Sequence, residues 1–126
     1  MLFDSFVWLE IIRGTPAGRK ASAIVDSETT IFTTPIVLAE VFSRVARTSG
    51  AEVASLKIDR IAARCAMIPA DESIGRLAGA IHAERKQVVR DFGLADAFIV
   101  AAARSHGVRV LTGDPHILAM PEGQAL

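Results

Sequence analysis

The fold is read from Gly93-Leu94-Ala95-Asp96-Ala97-Phe98-Ile99-Val100-Ala101-Ala102-Ala103-Arg104-Ser105-His106-Gly107 and the Arg109-Val110-Leu111-Thr112-Gly113-Asp114-Pro115 that follows it. The first run, Leu94–His106, is alanine-rich, carries its basic residues in the last turn and stops at a glycine, which predicts a helix. Arg109-Val110-Leu111-Thr112 is β-branched and apolar and predicts a strand. Gly113-Asp114-Pro115 predicts a turn directly after it.

Moving outward, the same alternation recurs. Met1–Asp4 is a short apolar run ending in a carboxylate. Residues 5–14 read as a helix capped by Ser5 or Asp4 and closed by Gly14, and residues 16–27 as another. Thr30-Ile31-Phe32-Thr33 predicts a strand, and Thr34-Pro35 opens a helix with Thr as N-cap and Pro in the first turn. That helix runs to about Thr48, and a second covers 51–64. Cys65-Ala66-Met67-Ile68 reads as a strand, Asp71–Gln87 as a helix, and Gly123–Leu126 as a short edge strand. Strands alternating with helices predict βαβ units, a mostly parallel sheet and helices on both of its faces, hence an α/β fold.

Composition bounds the reading. The 126 residues make one domain, 1–126, with 51% apolar and 22% charged residues, enough for a core and too apolar for disorder. One cysteine, Cys65, excludes a disulfide framework and a cysteine-rich zinc module. Uncharged stretches reach only about a dozen residues, too short to span a membrane. The N-terminus has no basic run and its apolar stretch is interrupted by Asp4 and Glu10, so a cytoplasmic protein is expected. Fourteen basic residues balance fourteen acidic ones. If four acids were held on metal ions, fourteen positive charges would face ten, so net charge decides little about nucleic acid.

In open α/β sheets ligands bind beyond the carboxyl ends of the strands. Asp4 ends the first strand, Asp114 follows the Arg109–Thr112 strand, Glu40 lies in the second turn of the helix after the Thr30–Thr33 strand, and Asp96 lies in the first turn of the apolar helix. Glu40 sits within Ile36-Val37-Leu38-Ala39-Glu40-Val41-Phe42, and Asp96 is the one charge between Asp91 and Arg104. Carboxylates in such company are costly unless paired or metal-bound. Four of them around one cleft call for a hard divalent cation, Mg²⁺ or Mn²⁺. Taken singly, each has an ordinary reading: Asp4 and Asp96 as helix caps, Asp114 as a turn residue, Glu40 as an ion-pair partner of Arg44. Ser5 and Thr112 stand next to the acids, where their hydroxyls would orient a carboxylate or a bound water, or serve simply as cap and turn groups. His82, His106 and His116 lack metal-ligand spacing, and His116 alone is near the cleft. No nucleophile elbow and no glycine-rich phosphate loop is present.

Four segments, Phe3–Glu10, Pro35–Val41, Gly93–Ala103 and Val110–His116, resemble in that order a PIN domain, the small nuclease domain of VapC-like toxins in type II toxin–antitoxin pairs. The resemblance implies a three-layer α/β/α domain with an about five-stranded parallel sheet and Mg²⁺- or Mn²⁺-dependent endoribonuclease activity. It places Asp4, Glu40, Asp96 and Asp114 at the family's acidic positions, with Ser5 and Thr112 at the neighbouring hydroxyl positions. It also implies an RNA substrate, an antitoxin partner that blocks the cleft, and frequent homodimers. The helix pair 35–64, with Val41, Val45, Val53 and Leu56, is the expected dimer contact. Arg85, Lys86 and Arg90, just before the Asp96 helix, are the expected contacts to the RNA backbone. Two other readings compete. A phosphoacceptor receiver domain also gathers aspartates and Mg²⁺ at strand ends, but Asp4 is unpaired and no lysine follows Lys86. A PIN-like module that binds RNA or protein without cutting would not need the complete acid set.

Overall fold

Each of the first four parallel strands hands the chain to a helix, and capping side chains mark the junctions. The computed structural model describes residues 1–27 and 30–126. In chain order the elements are β1 (Leu2–Phe3), α1 (Ser5–Arg13), α2 (Pro16–Ser27), β2 (Phe32–Thr33), α3 (Pro35–Ser49), α4 (Ala51–Arg64), β3 (Ala66–Met67), α5 (Glu72–Arg85), α6 (Leu94–His106), β4 (Val110–Thr112), α7 (Pro115–Leu118) and β5 (Gly123–Ala125). Asp4 accepts from the Val7 amide at 3.2 Å and Thr34 from the Val37 amide at 3.2 Å, so the residue that leaves the strand also starts the helix. Asp71 does the same for α5, accepting from Ile74 at 3.0 Å.

The sheet has the order β3-β2-β1-β4-β5, and all of its strand pairs are parallel. The chain builds β1, β2 and β3 outward in one direction, then returns to lay β4 on the other side of β1. With right-handed crossovers this reversal puts the connecting helices of the two arms on opposite faces. It also makes the carboxyl ends of β1 and β4 a topological switch point, the place where such sheets bind ligands. Receiver domains of the flavodoxin-like type have the order 2-1-3-4-5. The observed order removes that reading.

The buried core is centred on Leu2, Phe3, Ile31, Val110 and Leu111 of and beside the central strands, with Phe92 behind them. α6 is the most enclosed helix: Ala97 and Ile99–Ala103 are all buried, so its alanine-rich run is apolar on every side because both sides are covered. Asp96 in its first turn stays half-buried at the sheet's carboxyl end. No helix among the described residues is long and apolar enough to cross a membrane.

Three expectations change. Gly113-Asp114-Pro115 is the start of a one-turn helix, α7, because Asp114 accepts from the His116 amide at 2.8 Å and Pro115 fits the first helical position. The Asp71–Gln87 helix stops at Arg85, where the chain enters a turn. Val41 and Val45 are buried inside the chain's own core, since their face of α3 packs inward; of the four residues expected at a dimer contact, Val53 and Leu56 are exposed.

α1 and α2 pack closely enough that backbone meets backbone. A Cβ built on Gly18 would lie 1.9 Å from the Glu10 carbonyl oxygen, and the Gly18 amide donates to Thr15 Oγ1 at 3.0 Å. Since a backbone carbonyl cannot swing aside as a side chain does, Gly18→Ala should force the two helices apart. A cost of about 3 kcal/mol is expected, read as a melting temperature lowered by about 10 °C.

Candidate active site

The register of the central strands assembles the site. Leu2 lies beside Val110 and Phe3 beside Leu111, so Asp4 comes level with Thr112 one step beyond. The Asp4 amide donates to the Leu111 carbonyl at 3.2 Å, extending the ladder to the last residue before α1. The Thr112 hydroxyl donates a short hydrogen bond to Asp4 Oδ2, while Asp4 Oδ1 takes the Val7 amide. Thr112 Oγ1 in turn accepts from the Asp114 amide at 2.9 Å. One threonine thus ties the end of β1 to the end of β4 and sets the direction of the turn that carries Asp114.

The other acids come in from the helices. Asp96 Oδ2 accepts from the Gly93 amide at 3.2 Å, reaching back over the first turn of α6. Gly93 has no side chain, so this is half a capping box. Asp96 also lies within hydrogen-bonding reach of Asp114, and the pair repel when both are charged. Glu40 points into the same region from α3. It feels Asp96, Asp4 and Asp114 as like charges, and the Ser5 hydroxyl favours its ionised form. The structure therefore brings Asp4, Glu40, Asp96 and Asp114 to one place, with Thr112 on Asp4 and Ser5 on Glu40. Among the described residues none of these four acids is in an ion pair. The pairing of Glu40 with Arg44 does not form.

A histidine stands beside the acids. His116 Nε2 is 3.4 Å from Asp91 Oδ2, its amide donates to Asp114, and its charge, when present, opposes the rise at Asp96. Nothing in its spacing marked it; its place comes from α7, whose single turn points it back to the acids. Phe6 is a residue that the sequence did not single out. It is 41% exposed beside Ser5, and a Cβ on Gly113 would strike its ring at 2.5 Å, so the ring covers the Thr112–Asp114 turn. Arg85, Lys86 and Arg90 are placed differently from one another. Arg85 lines a cavity with Arg104, Met120 and Pro121, and Arg104 is eight residues, about 12 Å of helix rise, from Asp96. Lys86 and Arg90 are exposed on the segment that joins α5 to α6, linked by Lys86 Nζ donating to the Arg90 carbonyl.

Among the described residues, no three or more His, Cys, Asp or Glu side chains are arranged to hold a metal ion as they stand. Three of the four acids have an oxygen committed to the backbone: Asp4 to Val7, Asp96 to Gly93 and Asp114 to His116. The donor set nonetheless fits a hard cation that keeps most of its waters and needs only one or two direct carboxylates, as Mg²⁺ does. All the available donors are oxygens, and they repel one another without a counter-charge.

That repulsion and burial shape the titration. Asp4, 3% exposed, is pushed up to about 6, mainly by burial, with Asp114 adding to the rise and the Thr112 and Val7 hydrogen bonds opposing it. Burial likewise raises Glu40 and Asp96, each with help from its acidic neighbours. In the folded state Asp4 keeps its proton to about pH 6, whereas the unfolded chain releases it near 3.8. Its stabilising contribution is therefore complete below about pH 4 and lost as pH rises through 6. About two pH units at about 1.4 kcal/mol each make this on the order of 3 kcal/mol. In EDTA, urea unfolding should show stability falling over that window, and Asp4→Asn should flatten the fall. Thr112→Val should cost about 2 kcal/mol at pH 8, where it strips a hydrogen bond from a buried carboxylate.

The profile of the PIN domain family matches residues 1–123. No curated protein sequence matches the chain. Among solved structures, the fold superposes on VapBC2 from Rickettsia felis, determined bound to a DNA fragment from its promoter. The TM-score is 0.79 at 18% identity, covering 99% of this chain and 97% of that one. It superposes on VapC20 of Mycobacterium tuberculosis, a toxin that cleaves the sarcin–ricin loop, with TM-score 0.77 at 17% identity over 94% and 92%. FitAcB from Neisseria gonorrhoeae gives TM-score 0.73 at 23% identity over 99% and 95%. With the family profile covering residues 1–123 of 126 and the acids gathered at the switch point, the chain belongs to the PIN-domain family.

Proposed function

We propose that the protein is a Mg²⁺- or Mn²⁺-dependent endoribonuclease and the toxin of a type II toxin–antitoxin pair. The observation that carries this reading is the gathering of Asp4, Glu40, Asp96 and Asp114 at one strand-end cleft, with no basic residue among the described residues paired to any of them. Membership of the PIN family and the likeness to VapC20 support it, and the likeness to VapBC2 supports an antitoxin partner, which would block the cleft. A homodimer using the exposed Val53 and Leu56 on α4 belongs to the same proposal. A module that binds without cutting has no use for a repulsive acid set with Asp4 buried in it, which costs stability in the absence of a ligand.

The chain's residues divide the work. Asp4 is fixed at both oxygens by Val7 and Thr112, so its carboxylate has one orientation. Asp114 neighbours it from the end of β4 and Asp96 neighbours Asp114 from α6, and with Asp4 they would hold the ion. Bound there, the metal would lower the pKa of a coordinated water and offset charge on the scissile phosphate. Glu40 is exposed at the rim, and its raised pKa brings it nearer to neutrality, where a carboxylate is a more effective proton acceptor. It would orient the attacking water and take its proton at a carboxylate oxygen, with the Ser5 hydroxyl holding the side chain in place.

Single-stranded RNA should be cut in Mg²⁺ or Mn²⁺ and left intact in excess EDTA; cleavage undiminished by EDTA would remove the metal from the mechanism. Asp96→Asn keeps the shape and the hydrogen bond from Gly93 while removing one charge. It should abolish cleavage yet leave the metal-free protein as stable as the parent, or more stable by up to roughly 1–2 kcal/mol. Mg²⁺ should raise the melting temperature of the parent and do so much less for the variant. An active Asp96→Asn protein with an unchanged Mg²⁺ response would mean that Asp96 is a helix cap and nothing more.

A further inference from the structure

A groove leaves the acidic cluster and runs between α1 and α3. Glu40, Ser43, Arg44 and Arg47 fall at i, i+3, i+4 and i+7, a single face of α3. They line a cavity of about 340 Å³ with Ser5 and Leu9 of α1. A second cavity of about 420 Å³ continues it, sharing Leu9 and Arg44, with Arg13 and Lys57 at its far side. The charges along this path are one-sided. Glu40, at the catalytic end, is the one acid in the first lining, and the second lining has none. Arg13 is held by Glu10 at 3.5 Å, whereas Arg44, Arg47 and Lys57 make no ion pair among the described residues. Arg47 directs its Nε to the Ser43 carbonyl at 3.2 Å, which lays its side chain back along the helix towards Glu40.

Two exposed arginines one turn apart repel each other and weaken the helix slightly. An extended polyanion passing between α1 and α3 turns that repulsion into attraction at both positions. Arginine suits phosphate, since its planar fork of donors matches the oxygens two at a time. The polyanion that must come here is the substrate, whose approach to four carboxylates needs cations beside them. α1 and α3 are in contact, so the path is a shallow groove over their junction that an extended strand can follow.

We propose that Arg44 and Arg47 bind successive backbone phosphates of a single RNA strand as it leaves the acidic cluster along the α1–α3 groove. The proposal rests on the nuclease reading and names the substrate path of that same site. It places the strand on α3, whereas Arg85 lies in a different cavity, beside Arg104.

The test is binding of a fluorescein-labelled, mixed-sequence single-stranded RNA of twelve nucleotides, followed by anisotropy in EDTA from low to moderate KCl. The double variant Arg44→Gln/Arg47→Gln should bind at least tenfold more weakly. Its log K against log[salt] slope should be shallower by about 1.4, corresponding to two lost phosphate contacts at about 0.7 each. Arg44→Lys/Arg47→Lys keeps the charges and should retain the parent slope. Arg60→Gln/Arg76→Gln removes the same net charge elsewhere and should leave binding within twofold. In Mg²⁺ the Gln pair should raise KM about tenfold with kcat within threefold. Affinity and slope unchanged in the Gln pair, or an equal loss in the Arg60/Arg76 pair, would overturn the groove assignment while leaving the nuclease reading standing. So would loss of binding to poly-glutamate with RNA affinity intact, which would assign the arginines to an acidic protein partner. A parent that neither binds nor cuts RNA would overturn both readings.

Discussion

The hydrogen bond from Thr112 to Asp4 is the contact on which the rest of the site depends. It joins the two strands on either side of the chain reversal, and it does so at a buried carboxylate, where an unmet acceptor is most costly. Without it Asp4 would have the Val7 amide alone to offset burial, and the turn carrying Asp114 would lose the oxygen that its amide uses. The same threonine therefore keeps a carboxylate in the core and aims a second one at it. A serine or threonine at a strand end is ordinary; its weight here comes from the neighbour that the parallel register assigns to it.

Stability and chemistry are opposed at this cleft. Burial and like charge raise the pKa values of Asp4, Glu40 and Asp96 and set them against the stability of the fold, and the hydrogen bonds that hold Asp4, Asp96 and Asp114 in place also keep them from relaxing apart. Such a site is preorganised for a positive ligand, since the repulsion is already present before the ligand arrives. The surrounding construction bears this. α6 is enclosed by its neighbours and begins at the acids, so Asp96 stands on one of the best-packed elements of the molecule. The basic residues of the groove beside Glu40 supply the opposite charge where the acids end.

Much of the architecture could be read along the chain. Thr34-Pro35, Asp71 and Gly107 mark helix ends by local chemistry, and all three do so in the structure. The apolar helix with one carboxylate and the Val110–Thr112 strand with an acid two residues beyond it are local patterns too. Where reading failed, the deciding contacts were either a single capping bond or a long-range pack. α7 is one turn set by Asp114, too short for any periodicity, and the burial of Val41 and Val45 depends on which face of α3 turns inward.

The sequence by itself determined the alternation of strands and helices, hence the parallel α/β class, and it put carboxylates after strands and in first turns, because capping and periodicity act within a few residues. Only the tertiary structure decided that β4 lies against β1 with Asp4 level with Thr112, and that Glu40 and Asp96 reach the same cleft. It alone turned His116 toward the acids, sent Arg85 to a cavity with Arg104, and opened a groove past Arg44 and Arg47. The physical reason is range: a cap or a turn is fixed by neighbours in sequence, whereas a charge cluster is fixed by strand order and register, which bring together residues as far apart as 4 and 112.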